Sequence, residues 1–204
     1  MKWTFWIPLL LLLVPSCSVL PKDEEPEEPG LTKYQKAHEA FKAQPNIKSL
    51  IYKNEELLPL LTPETSRIEI TLSERRARVL NEANEVAIDT PVSPGKKSHP
   101  TPTGTFGIIG KKKDKRSNLY GVIYNESGGR VAGSDIRKSK IPPGGKFVGV
   151  SMPYWMRLTN TGIGMHVGYV PTYSASHGCI RMPRKIAPVI YEKTKVGTPV
   201  VIKH

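Results

Sequence analysis

Short segments in which apolar and polar residues alternate are the feature that most constrains this fold. In residues 67–72, RIEITL, an isoleucine or leucine occupies every second position. Alternate residues of a β-strand point to the same face, so this period indicates a half-buried strand. Further strand-like segments are residues 76–81, 85–92, 104–109, 146–152, 156–168 and 198–203. We therefore predict a mainly β domain over residues 64–204.

Three other segments carry apolar residues at helical spacing. We predict a helix in residues 31–43, with His38 on its flank, and a second helix in residues 47–61. A third helix is predicted in residues 183–194. Pro183 suits its first position, because the first N–H groups of a helix have no partner within the helix.

The stretches between these elements are rich in turn-forming and charged residues. The chain holds 19 prolines and 17 glycines, which favours many turns over long helices. Residues 111–116 are rich in lysine and arginine, and residues 125–134 are rich in glycine and serine. Both stretches are predicted to be exposed loops.

The first residues, MKWTFWIPLLLLLVPSC, combine a basic start with an apolar run. The run is too short to span a bilayer, which takes about 20 apolar residues, and it predicts a secretory signal peptide in residues 1–16. Residues 14–17, VPSC, resemble a bacterial lipobox, which implies cleavage before Cys17 and lipidation of its sulfur. Acyl chains there would anchor the protein to a membrane. Ordinary signal cleavage beside an incidental cysteine is the alternative.

Composition changes twice after this segment. Residues 17–30 are acidic and proline-rich, which is typical of an extended tether, and residues 31–63 form the short helical N-terminal extension. The whole chain carries a formal net charge of +12. Outside the cytoplasm, a basic domain is expected to contact an acidic envelope polymer or a membrane surface. Nucleic acid is not an expected partner, because the chain carries an export signal and lacks a recognition motif with interleaved aromatic residues.

Cys179 lies in the segment 174–182, SASHGCIRM, and is the one cysteine besides Cys17. If Cys17 is lipidated, Cys179 has no partner for an internal disulfide in an oxidising compartment. A nucleophile, a metal ligand and a small buried hydrophobic side chain are the three roles to weigh.

The residues around Cys179 favour a nucleophile. A reactive cysteine needs a base or a cation nearby, and histidine can take the thiol proton and return it near neutral pH. His177 is two positions away, and His166 lies on the preceding strand-like segment, from which it could reach Cys179. Gly178 lets the backbone bend so that N–H groups face a developing oxyanion.

Zinc is the main rival among these roles. Its ligands would be drawn from His99, His166, His177 and Cys179. A His-x-Cys spacing places two ligands poorly around one tetrahedral ion, and no second thiolate exists in the mature chain. We therefore expect no metal, and we expect His99 to lie in a loop.

Residues 166–182, HVGYVPTYSASHGCIRM, resemble the catalytic motif of the L,D-transpeptidases, the YkuD-type domain. That motif is a histidine, a spacer, Ser-His-Gly-Cys or Thr-His-Gly-Cys, an aliphatic residue, and Arg or Asn. A second family feature stands here as TPTGTF, residues 101–106, and residues 66–96 resemble the opening hairpins. The resemblance covers roughly residues 64–203. It implies a mixed β-sandwich or barrel-like fold with a helix after the Ser-His-Gly-Cys motif.

The resemblance also implies a reaction. Cys179 would attack the carbonyl of the diaminopimelate–D-alanine bond in a peptidoglycan tetrapeptide stem, with His166 as base and then acid. The backbone N–H groups of Gly178 and Cys179, with His177, would hold the oxyanion. The side-chain amine of a second stem would then attack the thioester and form a 3→3 cross-link. Val167 stands where many members have glycine or alanine, and the backbone carbonyl at that place often orients the base.

Further site residues follow from the same resemblance. Ser176 and Arg181 would shape the nucleophile loop or meet a substrate carboxylate. A group before the histidine strand would line the substrate groove: Tyr154, Trp155 and Arg157. The implied chemistry needs no metal and no organic cofactor.

The sequence leaves several outcomes open. Water in place of the amine would make the protein an L,D-carboxypeptidase, and a protein amine would attach a protein to the wall. A non-catalytic, peptidoglycan-binding lipoprotein is the alternative from a different class. In each case we expect an exported protein of the periplasm or cell envelope, and the sequence does not indicate its oligomeric state.

Overall fold

The structure, a computed structural model, describes Met1 and residues 30–204. The predicted signal peptide, the lipidation site at Cys17 and nearly all of the tether lie outside the described residues. Leu31–His204 forms one compact unit. None of the helices in this described part is both long enough and apolar enough to cross a membrane.

The described chain is mainly β, as the sequence predicts. Its strands are β1 (Tyr52–Lys53), β2 (Arg67–Thr71), β3 (Arg76–Leu80), β4 (Val86–Pro91), β5 (Gly104–Gly107), β6 (Gly110–Lys112), β7 (Arg116–Tyr124), β8 (Arg130–Asp135), β9 (Lys146–Ser151), β10 (Trp155–Arg157), β11 (Gly164–Val167), β12 (Ile180–Met182) and β13 (Pro199–Lys203). Its helices are α1 (Lys33–Lys42), α2 (Leu57–Leu60) and α3 (Ala187–Glu192), with 3₁₀ turns at Ile47–Ser49 and Ile136–Lys138.

These strands form three sheets. The first has the order β1-β4-β3-β2-β13-β5, the second β12-β11-β10-β6, and the third β8-β7-β9. Most neighbours are antiparallel, but β13 pairs with β2 and β12 pairs with β11 in parallel. The parallel β11–β12 pair matters most here, because it carries the Ser-His-Gly-Cys segment beside the histidine strand.

One hydrophobic core serves the first two sheets and α3. Its fully buried members include Ile68 and Ile70 of β2, Met165 of β11 and Ile190 of α3. Burial of such side chains removes apolar surface from water at about 25 cal/mol per Å², so this shared core fixes the two sheets relative to each other. The mixed sandwich with a helix after the Ser-His-Gly-Cys motif is therefore confirmed.

The two stretches predicted to be exposed loops are largely exposed, but about half of each is strand, so the loop assignment is only half right. Within residues 111–116, Lys111 and Lys112 belong to β6, which pairs with β10. Most of residues 125–134 forms the hairpin between β7 and β8 and the strand β8 itself. Most of β8 is exposed, as Val131 is. A strand with no buried face has no need for alternating apolar residues, so its sequence resembles a loop.

Two helix predictions also need correction. Residues 47–61 do not form one helix: a 3₁₀ turn, the strand β1 and the short α2 share them. Tyr52 pairs with Asp89 of β4, and this long-range pairing overrides the local helical spacing. The last helix begins at Ala187 and not at Pro183, because residues before it form a turn in which the carbonyl of Pro183 accepts from the Ala187 N–H at 3.1 Å.

The first helix is confirmed, and its start follows from the sequence. Thr32 accepts a hydrogen bond from the Gln35 N–H at 3.2 Å, and the Gln35 side chain accepts from the Thr32 N–H at 2.9 Å. This reciprocal capping box satisfies two N–H groups that a helix start leaves without partners. His38, expected on the flank, is instead buried with 7% of its surface exposed.

A buried charged cluster fixes the N-terminal extension to the first sheet. Asp89 of β4 has no exposed surface; it accepts from Arg76 Nε at 2.5 Å and from Arg78 Nε at 3.1 Å, and it lies 2.8 Å from His38 Nε2. Arg76 also donates to the carbonyls of Ile47 and Leu50 in the extension. Burial alone would raise the pKa of Asp89, but His38 and the two guanidinium groups hold it below its usual value.

We predict that Asp89→Asn lowers the free energy of unfolding by about 3–5 kcal/mol, because it leaves the buried guanidinium of Arg76 without a carboxylate and removes one of the two carboxylates that pair with Arg78. Urea unfolding of the two proteins measures this difference. Glu56→Gln is the matched control: it neutralises an exposed carboxylate that pairs with Lys33, and it should cost less than about 1 kcal/mol. A loss at Asp89 no larger than that at Glu56 would contradict a clamping role for the cluster.

Candidate active site

The parallel pairing of β11 and β12 brings the two predicted catalytic side chains into one cavity. His166 pairs with Arg181 and Met165 with Ile180, so Cys179 directly precedes β12 and lies beside Gly164. His166, Ser176, His177, Cys179 and Arg181 all line a cavity of about 660 Å³. We call this space the first cavity.

A second cavity of about 450 Å³ reaches the same cysteine from another side. Cys179 and His177 line both cavities. Trp155 and Arg157, which the sequence predicts near the groove, line the second cavity together with Arg137. Cys179 thus lies where two neighbouring cavities meet.

His166 is held in one tautomer. It is buried, with 6% of its surface exposed, and its Nδ1 lies 2.8 Å from the carbonyl oxygen of Val167. A carbonyl can only accept, so Nδ1 carries the proton and Nε2 keeps a free lone pair. The side chain of residue 167 takes no part in this contact, so the valine at this position leaves the backbone role intact.

Burial also sets the charge of His166. Its pKa is lowered to about 4, chiefly because burial removes solvent; the hydrogen bond to Val167 opposes this in part, and the positive charge of Arg181 adds to it. The imidazole is therefore neutral at pH 7 and able to accept a proton.

The thiol of Cys179 is also neutral at rest. Burial raises its pKa above the ordinary 9.0, while a backbone hydrogen bond from Gly164 and the charge of Arg181 lower it in part. Its sulfur lies 3.8 Å from the carbonyl oxygen of Gly162. Within the described chain no hydrogen bond yet joins Cys179 to His166. Such contacts are often long in a free enzyme and tighten when substrate binds.

The nucleophile loop is held by its own serine. Gly178 has a φ of 107°, a value that L side chains rarely adopt, and an added Cβ would lie 2.6 Å from Ile163 Cδ1. Ser176, which is 2% exposed, accepts from the Gly178 N–H at 3.1 Å and donates to the carbonyl of Cys179. Of the two roles predicted for Ser176, the structure therefore shows loop shaping.

This arrangement bears on the predicted oxyanion donors. The Gly178 N–H is occupied by Ser176 in this conformation, whereas the Cys179 N–H has no hydrogen-bond partner among the described residues. The contributions of both N–H groups to an oxyanion hole stay predictions, and of the two only the Cys179 N–H is free in this conformation among the described residues.

The TPTGTF segment braces the same loop. Thr101 donates to the carbonyl of Gly178 at 2.8 Å and accepts from the Gly95 N–H at 2.8 Å. Gly95 approaches so closely that an added Cβ would lie 2.1 Å from the carbonyl oxygen of His99 and 2.9 Å from Gly178 Cα. The sequence identified this segment only as a family feature, and the structure shows that it positions the nucleophile loop.

His177 is held by aromatic contacts. Its ring stacks on Tyr120 of β7 with centroids 4.5 Å apart, and the edge of His99 approaches it at 4.8 Å. Burial and the nearby charge of Lys96 lower its pKa, which favours the neutral imidazole. Tyr120 lines both cavities, and sequence reasoning missed it because it lies far from the motif on a strand that was not predicted.

Arg181 faces the first cavity together with Arg184, so this cavity presents two guanidinium groups beside the cysteine. Tyr154, predicted to line the groove, is not among the lining residues of either cavity. Its backbone has a φ of 55°, and its ring packs edge-on against Tyr191 of α3 at 5.5 Å. The left-handed backbone accompanies a side chain that packs on the core, while the next residue, Trp155, lies near His166.

Among the described residues, no group of three or more His, Cys, Asp or Glu side chains could hold a metal ion. His99, one of the four ligands considered for zinc, is exposed in a loop, as predicted, and its Nδ1 lies 3.1 Å from Ser98 Oγ.

Comparison with known proteins agrees with this geometry. Residues 65–202 match the sequence model of YkuD, the L,D-transpeptidase catalytic domain. A curated relative, "Probable L,D-transpeptidase 3" of Mycobacterium tuberculosis, is 26% identical over 119 residues, which are 56% of this chain and 38% of the relative. The chain thus spans well under half the length of that protein.

Solved structures show the same fold. An L,D-transpeptidase from Mycobacterium smegmatis superposes with a TM-score of 0.52 at 23% identity, covering 69% of this chain and 59% of its own. L,D-transpeptidase 3 from Mycobacterium tuberculosis, in complex with a faropenem-derived adduct, gives a TM-score of 0.50 at 20% identity and covers 69% and 60%.

Proposed function

Because the chain belongs to the L,D-transpeptidase catalytic domain family, we propose that it is a peptidoglycan L,D-transpeptidase with Cys179 as its nucleophile. The donor is a tetrapeptide stem, cleaved at its diaminopimelate–D-alanine bond, and the acceptor is the amine of a second stem. One observation carries this proposal: a neutral His166, oriented by the Val167 carbonyl, shares a cavity with Cys179.

The first half-reaction acylates the cysteine. The thiol turns from the Gly162 carbonyl, gives its proton to Nε2 of His166, and attacks the carbonyl carbon of the scissile bond. The Cys179 N–H, with His177, stabilises the resulting oxyanion. Collapse breaks the C–N bond, His166 returns the proton to the amine of D-alanine, and a thioester remains on Cys179.

The second half-reaction transfers the acyl group. The acceptor amine attacks the thioester carbonyl and gives a proton to His166, the C–S bond breaks, and His166 returns the proton to the sulfur. In both half-reactions the proton passes between His166 and an amine nitrogen. His166 lines the first cavity and is not among the described residues around the second.

The leaving amine and the acceptor amine therefore occupy the first cavity, and the acyl part of the donor occupies the second. The first cavity also holds Arg181 and Arg184, which suit the carboxylate that accompanies each of these amines. A site with two neighbouring cavities that meet at Cys179 has room for two stems, which supports transfer to an amine over simple hydrolysis.

Product analysis tests the proposed function. The protein is incubated with a disaccharide-tetrapeptide that contains diaminopimelate, and the products are separated and weighed by mass spectrometry. Cross-linked dimer with release of D-alanine supports transpeptidation, whereas tripeptide with D-alanine and no dimer indicates an L,D-carboxypeptidase. Unchanged substrate that binds the protein would favour the non-catalytic lipoprotein.

The acylation rate should keep its neutral-pH value down to about pH 5 and fall near pH 4. His166 must be neutral to accept the thiol proton, and its pKa is lowered to about 4. An ordinary histidine, with a pKa near 6.5, would already be mostly protonated at pH 5. The measurement is the pH dependence of kcat/KM for D-alanine release. An acid limb centred near 6.5 would contradict the buried-base account.

We also propose that the protein is exported to the cell envelope and anchored through lipid on Cys17. The apolar run before that cysteine and its VPSC ending support this proposal. Mass spectrometry of the protein from its membrane fraction tests it: an N-terminal acylated Cys17 is expected, and an unmodified terminus would overturn it.

A further inference from the structure

A third cavity, of about 370 Å³, lies next to the first and has no part in the chemistry described above. The two cavities share Gly168 and Tyr169, which directly follow strand β11. We call this third cavity the side groove and define it by Lys48, Arg75, Gly168, Tyr169 and Lys185. An extended ligand that continues from the first cavity past Gly168 would enter the side groove.

The side groove is basic. Lys48, Arg75 and Lys185 line it, and none of these three forms an ion pair with another described residue. The one carboxylate in its wall, Glu74, is already paired with Arg78. Three cations with no described counter-charge, in one concave space, favour a ligand that carries carboxylates.

The lining of the side groove also offers apolar surface against which a peptide could pack. Pro91, Pro171 and Pro183 supply apolar surface, and the Tyr169 ring stands at the junction with 77% of its surface exposed. The backbone of Arg75 is fixed on both sides, since its N–H donates to the Leu72 carbonyl and its carbonyl accepts from the Val92 N–H at 2.8 Å. Its φ of 54° is uncommon for arginine, and such values persist where the surrounding structure holds them.

We propose that the side groove binds the acidic peptide of the acceptor stem. This rests on the proposed function, which places the acceptor amine in the first cavity. Diaminopimelate carries two carboxyl groups: the one beside the amine meets Arg181 and Arg184, and in a stem that ends in diaminopimelate the other is free, so the peptide beyond the amine is anionic. The groove continues from the amine site, has the opposite charge and holds about one short peptide segment.

One lining residue of the side groove, Lys48, lies outside the region that matches the family. Residues 65–202 match the family, whereas Lys48 belongs to the N-terminal extension that the Asp89 cluster clamps onto the first sheet. The extension therefore supplies part of the proposed acceptor-binding surface. Selection of the acceptor would then depend on the extension of this chain as well as on the catalytic domain.

Direct binding tests the proposal without requiring turnover. The full chain in detergent, carrying Cys179→Ala, is titrated with a fluorescently labelled tripeptide stem that ends in diaminopimelate. Arg75→Asn with Lys185→Gln removes two groove charges, and asparagine tolerates the left-handed backbone. We expect the Kd to rise about tenfold or more, as for loss of one to two charge-assisted hydrogen bonds. Lys36→Gln, which removes an exposed charge on α1, is the matched control and should leave the Kd unchanged.

Turnover separates this proposal from the proposed function. With Cys179 intact, the groove variant should raise the acceptor KM about tenfold in dimer formation, while its rate of acylation by the donor stays that of wild type. For an acceptor whose carboxylates are amidated, the KM should be the same with the groove variant and with the wild type. Equal Kd and acceptor KM in groove variant and wild type would overturn the side-groove proposal. Failure of the wild type to be acylated, with stem binding still dependent on Arg75, would overturn the transpeptidase function and leave the groove as a stem-binding site.

Discussion

Cys179→Ala is expected to lower the rate of D-alanine release from the tetrapeptide by at least about a thousandfold. Cys179 lines both cavities and is the one thiol among the described residues, so it is the group assigned to form the acyl-enzyme. Chromatographic assay of released D-alanine measures the loss. Addition of a chelator to the wild type should leave its rate unchanged, since no metal takes part in either half-reaction.

The alanine variant should fold normally. The sulfur of Cys179 makes only weak polar contacts, with the Gly162 carbonyl at 3.8 Å and with the backbone of Gly164, and its replacement leaves the Ser176 and Thr101 hydrogen bonds to the loop backbone in place. An unchanged Tm in a thermal melt is the control for folding. Retained D-alanine release in a folded variant would show that another residue is the nucleophile.

The second large effect is expected from His166→Ala, which should slow acylation by about 10²–10⁴-fold, the usual contribution of a positioned general base. The variant removes the lone pair that accepts the thiol proton, while the thiol keeps a pKa above its ordinary value and ionises little at pH 7. Stopped-flow mixing with a carbapenem measures acylation directly, separately from transfer.

A second histidine provides the matched control. His99 touches His177 but makes no described contact with Cys179, so His99→Ala should change the acylation rate by much less than His166→Ala. A His177→Ala variant tests whether His166 or His177 is the general base. If His177→Ala abolished acylation while His166→Ala did not, the roles assigned to the two histidines would be reversed.

Local sequence predicted the elements that bury apolar side chains in the core. Strands β2, β3 and β4 and helix α1 all appeared where the period of apolar residues placed them. Strand β8 was not predicted because most of its residues are exposed. The helix predicted over residues 47–61 does not form as one element because Tyr52 pairs with β4. The spacing of apolar residues indicates which face of an element is buried. It does not indicate pairing with a strand that lies far away in the sequence.

The site divides in the same way. Cys179, His177 and Ser176 are contiguous, and His166 lies on the adjacent strand, so the sequence could place them together. Tyr120 comes from another sheet, and no local pattern links it to His177. The bracing role of Thr101 likewise depends on a contact over a sequence separation of 77 residues.

The most direct test of the central claim is the intact mass of the protein after incubation with the disaccharide-tetrapeptide. Our account predicts a covalent adduct whose mass equals the stem minus D-alanine, formed on the wild type and missing in Cys179→Ala. A wild type that stays unmodified, while a thiol reagent shows that Cys179 is accessible, would contradict the account.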